Sequence, residues 1–234
     1  MSTTASTTVR ELSIAAGGVT LQGLLRAPRD ERGIVLFAHG SGSSRFSPRN
    51  TYVANVLCDA GFATLLFDLL TAEEEEIDVV TAELRFDIPL LTERLVAATR
   101  WLLEQPHLQD LPIGYFGSST GAAAALAAAA RVPAVTAVVS RGGRPDLAGT
   151  ALREVRAATL LIVGGNDRQV QALNESALAQ LDCEASLEIV PGATHLFAES
   201  GALEQVASLA AAWFTRHLGS QARKSAPGQS HATT

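Results

Sequence analysis

Cysteine is scarce in this chain: only Cys58 and Cys183 occur among 234 residues, too few for the disulfide framework of a small secreted scaffold. The start, Met1-Ser2-Thr3-Thr4-Ala5, has neither the charged nor the apolar region of an export signal, so the expected compartment is the cytoplasm. Long hydrophobic runs are also missing. The longest, Ala122 to Ala130, falls far short of the roughly 20 residues that a membrane span needs. Positive charge is not in excess: a net charge of −6 and an isoelectric point near 5.4 exclude a general affinity for nucleic acid or for an anionic membrane. Neither an H-E-x-x-H pattern nor clustered cysteines are present, so no metal site is expected.

What is present is apolar. Hydrophobic residues make up 47% of the chain and the mean hydropathy is +0.18, enough to build a substantial core. The length suits one α/β domain. Residues 1–9 and 219–234, rich in Ser, Thr, Ala and Gly, read as loose termini around a folded unit over 10–218. Alternation around Gly17-Gly18 predicts an antiparallel hairpin at a sheet edge. Beyond it the pattern changes to continuous apolar runs at 33–38, 62–67, 113–116, 135–139 and 159–163, with one more at 187–190. Such runs suit strands buried on both faces. Helix-like stretches at 50–60, 87–104, 120–131, 169–181 and 203–218 separate them, which implies right-handed crossovers and a mostly parallel, doubly wound sheet of about eight strands. The run Glu73-Glu74-Glu75-Glu76 reads as a solvated loop or a first helical turn.

In such a sheet, ligands bind beyond the carboxyl ends of the strands. Four strand ends carry polar residues of a consistent kind: His39-Gly40-Ser41-Gly42, Gly117-Ser118-Ser119-Thr120-Gly121, Gly164-Gly165-Asn166-Asp167 and Pro191-Gly192-Ala193-Thr194-His195. A hydroxyl needs a base to become a nucleophile, and imidazole held by a carboxylate is that base near neutral pH. Ser119, Asp167 and His195 are therefore the candidate catalytic residues, with the N–H groups of Ser41 and Thr120 as donors to a developing oxyanion. Gly40 and Arg141 are candidate substrate contacts, Arg141 because a guanidinium fork suits a carboxylate or phosphate.

These four motifs together resemble the α/β-hydrolase fold, and the small body without a large lid domain resembles its dienelactone-hydrolase-like branch, over about residues 12–218. The resemblance implies a serine hydrolase that cleaves small-molecule carboxylic esters and needs no cofactor. Acyl transfer, or hydrolysis of a thioester or lactone, would use the same residues, and a non-catalytic binding module would keep the same fold. Dienelactone hydrolases proper carry cysteine where this chain has Ser119, which favours a general esterase.

Each candidate has a bland alternative. Ser119 could cap a helix, Asp167 could cap the helix near Gln169, and Asp146 is a rival acid. Arg141 could simply pair with Asp87 or Asp146, and Arg85 with a structural acid. His39 reads as structural and Cys58 as core. The sequence carries no signal for oligomeric state.

Overall fold

The computed structural model describes residues 7–218, so the expectations for 1–6 and 219–234 lie outside it. β1 (Thr8–Ala16) and β2 (Val19–Ala27) form the expected antiparallel hairpin, with β1 starting slightly before the boundary drawn at residue 10. β2 pairs antiparallel with β4 (Ala63–Phe67). From there β4, β3 (Ile34–Ala38), β5 (Ile113–Ser118), β6 (Val135–Arg141), β7 (Ala158–Gly164) and β8 (Ala185–Val190) run parallel. The order is β1-β2-β4-β3-β5-β6-β7-β8. The chain winds outward in both directions from β3, and the gap between β3 and β5 is the switch point at which such sheets bind ligands.

Side chains alternate across this sheet as the pleat demands. Ile34, Leu36 and Ala38 of β3 enter one core, with Tyr115 of β5 and with Leu91, Leu95, Ala98 and Leu102 of α3 (Ile88–Leu103). Val35 and Phe37 enter the other, with Val53 and Leu57 of α1 (Pro48–Asp59) and Val206, Ala210 and Phe214 of α6 (Ala202–His217). The alanine-rich α4 (Thr120–Arg131) joins the first core, its small side chains permitting a close approach to the sheet. α5 (Arg168–Leu178) packs beside β7 near the sheet's end.

The acidic run falls in the first turn of a ten-residue helix, α2 (Ala72–Thr81), the second of the two readings given above; a capping box opens it, in which Thr71 and Glu74 satisfy each other's backbone N–H groups. One expectation needs correction. Strand β8 is not buried on both faces. It is an edge strand of the sheet, and its Glu188 and Ile189 are exposed. Among the described residues no helix is long and apolar enough to cross a membrane.

Candidate active site

The turn from β5 to α4 bends so sharply that Ser119 takes φ 50° and ψ −121°, a left-handed conformation that costs a serine about 1–3 kcal/mol. Neighbouring backbone holds it there. The Ser119 N–H donates to the Arg141 carbonyl (3.2 Å), and its carbonyl accepts from the N–H groups of Ala122 and Arg144, both at 3.1 Å. The flanking glycines are demanded by space. A Cβ on Gly117 would stand 2.4 Å from the Ala122 Cα, and one on Gly121 would stand 2.3 Å from the Ala38 carbonyl oxygen. Ser119 occupies the N-cap position of α4, yet its hydroxyl caps nothing, so the bland alternative fails for this residue.

It fails for Asp167 as well. This residue stands at the N-cap of α5 without a side-chain capping bond, and its Oδ2 lies 2.7 Å from Nδ1 of His195. The two loops that carry the pair are laced together. Gly165 N–H donates to the Val190 carbonyl (2.9 Å), Asn166 N–H to the Ala193 carbonyl (2.9 Å), and Asn166 Nδ2 to the Gly192 carbonyl (2.8 Å). Asn166 thereby fixes the spacing between acid and imidazole. Its position inside the strand-end motif was the one available sequence signal for it. The rival acid Asp146 is held by Arg144 through two hydrogen bonds of 2.9 and 2.8 Å.

Ser119, His195, Gly40, Ser41, Arg141 and Arg49 all line one cavity of about 200 Å³. Among the described residues no hydrogen bond joins the Ser119 hydroxyl to the imidazole. Ser41 lines this cavity, and Ser41 and Thr120 together line a much smaller neighbouring one beside His39 and Gly40. The side chains of Ser41 and Thr120 touch: Ser41 Oγ and Thr120 Oγ1 are 3.0 Å apart, so one hydroxyl pair ties the loop after β3 to the N-terminus of α4.

His39 supports this loop from beneath. Its Nε2 accepts the Leu69 N–H (3.0 Å), which places the ring proton on Nδ1, and Nδ1 donates to the Gly40 carbonyl (3.0 Å). Burial lowers its pKa, outweighing the Gly40 carbonyl and the more distant carboxylates of Asp68 and Glu75, and keeps the ring neutral. Arg85 is structural too. Its Nε lies 2.6 Å from Asp78 Oδ2, and its Nη2 donates to the Asp78 carbonyl (2.7 Å). Arg141 pairs with neither acid that the sequence offered it: Asp146 is taken by Arg144, and Asp87 accepts from Leu90 N–H as the cap of α3. Burial, then the nearby charge of Arg49, pushes its pKa down to about 10. Arg49 itself escaped sequence reasoning, because nothing in a helix's first turn marks a residue as facing a cavity formed by loops far along the chain. Cys58 is buried, with Sγ 3.5 Å from Thr64 Oγ1. Among the described residues no three His, Cys, Asp or Glu side chains are grouped to hold a metal.

The comparisons with known proteins agree with this architecture. A solved dienelactone hydrolase from Anabaena variabilis is 60% identical and superimposes with a TM-score of 0.89, covering 91% of this chain and 99% of that one. The esterase domain of a Rhodothermus marinus protein, 22% identical, shares the fold with a TM-score of 0.72 over 91% of this chain and 100% of its own. A Mycobacterium tuberculosis protein, provisionally named a phosphoribosyl transferase, is 60% identical over 210 residues, or 89% of this chain and 46% of that protein. The chain thus spans about half the length of the curated relatives it matches. The family model of the dienelactone hydrolases matches residues 21–218, and this chain, an eight-stranded α/β hydrolase, belongs to that family.

Proposed function

We propose that this protein is a cytoplasmic serine hydrolase that cleaves small carboxylic esters through a covalent acyl-enzyme, without a cofactor. Ser119 Oγ attacks the carbonyl carbon while His195 Nε2 takes its proton. Asp167 holds the opposite ring nitrogen and stabilises the imidazolium. Charge on the former carbonyl oxygen is received by the N–H groups of Ser41 and Thr120, which are fixed in place and need no reorganisation. As the C–O bond to the alcohol breaks, the imidazolium returns the proton to the leaving oxygen. Water then attacks the acyl-enzyme with His195 again as base, releasing the acid and restoring Ser119.

The observation that carries this reading is a shared cavity: a hydroxyl on a strained turn lies with an imidazole whose Nδ1 is already occupied by a carboxylate. A lactone is a cyclic ester, and the Anabaena relative's name makes one a useful second substrate. The test is hydrolysis of p-nitrophenyl acetate together with labelling by a fluorophosphonate probe. Ser119→Ala should abolish labelling and lower turnover by at least about a thousandfold. Full activity in that variant would refute the assignment.

A further inference from the structure

Two cations line the Ser119 cavity, and among the described residues no acid shares its wall. Arg141, the last residue of β6, is only 8% exposed, and its Nη1 is buried without an acceptor. Arg49, in the first turn of α1, is half-buried, and its Nε is likewise buried without one. Among the described residues neither side chain forms an ion pair or a hydrogen bond. The acids that sequence spacing offered are engaged elsewhere: Asp146 by Arg144, and Asp87 by the start of α3. Among the described residues no carboxylate lines this cavity; Asp68, Glu73 and Glu75 line a larger adjoining one that Arg49 also borders, but none of them bonds to that arginine. The remaining polar wall of the Ser119 cavity is hydroxyl, amide and imidazole, from Ser43, Ser47, Asn50 and His195.

An unanswered charge in a buried place is costly, and two like charges facing one cavity repel each other as well. That cost is offset if a ligand brings the missing negative charge. A single carboxylate would answer one cation and leave the other. A phosphoryl dianion answers both, and its oxygens match the donor fork of a guanidinium. We propose that Arg141 and Arg49 form a subsite for a phosphoryl dianion carried by the ester substrate, close to the carbonyl that Ser119 attacks. The small volume of the cavity, about 200 Å³, places the two groups within a short linker of each other. This deepens the ester-hydrolase reading and rests on it.

Three activated esters at about pH 7.5 separate the possibilities, because a phosphate monoester is then largely dianionic. They are p-nitrophenyl acetate, mono-p-nitrophenyl succinate and p-nitrophenyl O-phosphoglycolate, which are neutral, monoanionic and dianionic. The phospho ester should exceed both others in kcat/KM by at least about 10-fold. Arg141→Gln should shrink that preference by about 10- to 100-fold, the worth of a charge-assisted hydrogen bond. Arg49→Gln, at a less buried position, serves if Arg141→Gln does not fold. Equal or better turnover of the succinate ester, or no preference over acetate, overturns the proposal. Calorimetric titration of Ser119→Ala with inorganic phosphate gives an independent reading. Saturable binding that Arg141→Gln weakens supports the subsite even if no ester is cleaved, which would sink only the hydrolase reading; absence of binding rejects the subsite.

Discussion

The hydroxyl contact between Ser41 and Thr120 allows the proposed oxyanion loop to be tested without touching the proposed reacting residues. Thr120 is only 2% exposed, whereas Ser41 is half-buried and can reach water. Ser41→Ala strands the Thr120 hydroxyl in a dry place, at a cost of about 1–3 kcal/mol. Thr120→Val keeps the shape of the side chain and strands only the wetter partner, so about 1 kcal/mol is expected. Removing both hydroxyls leaves nothing unpaired, and the double variant should be about 1 kcal/mol or more better than the sum of the singles. Urea unfolding measures the stability side of this cycle. On the activity side, p-nitrophenyl acetate should show a fall in kcat of about 5- to 50-fold for either single variant with KM little changed, because a displaced donor harms the transition state more than substrate binding. Strict additivity in unfolding, or wild-type kcat in both singles, would show that the pair does not position the two amides.

Three further outcomes follow from the same coordinates. His39 is held neutral with its folded pKa below the ordinary value near 6.5, so the unfolded chain binds the extra proton first. Its contribution to stability is complete above pH 6.5 and is lost as pH falls toward the folded value, by up to about 1.4 kcal/mol per pH unit; urea titrations at successive pH values should show this slope, and His39→Asn should flatten it. Arg141→Met removes an unanswered buried cation and should raise the melting temperature by about 2–10 °C in phosphate-free buffer, as read by circular dichroism. The small cavity favours short acyl chains, so kcat/KM should fall by at least about 10-fold from p-nitrophenyl acetate to the octanoate.

Much of the architecture was legible from residues alone because β3 to β7 are buried on both sides and so appear as unbroken apolar runs. The turn around Ser119 was legible because its glycines answer to close backbone contacts that no other residue survives. Helix α2 was seen only in its first turn, since Ile77, Val79 and Val80 are exposed and give no inward-facing rhythm; the capping box at Thr71 and Glu74 was the signal to follow. Strand β8 was taken for an interior strand because composition does not say whether a neighbour covers its outer side. The isolation of Arg141 was hidden for a different reason. Whether it pairs depends on Arg144 reaching Asp146 first and on Asp87 turning to α3, and sequence spacing does not rank such competitors.

The position of β8 at the rim of the sheet carries one more consequence. Ser119 stands at the end of the central strand β5, whereas the loops bearing Asp167 and His195 hang from β7 and from this half-bare outermost strand. Fraying there parts the imidazole from the serine while most of the core is intact. For the proposed hydrolase, loss of turnover on warming should then precede melting of the molecule, and its working range should be narrower than its folded range.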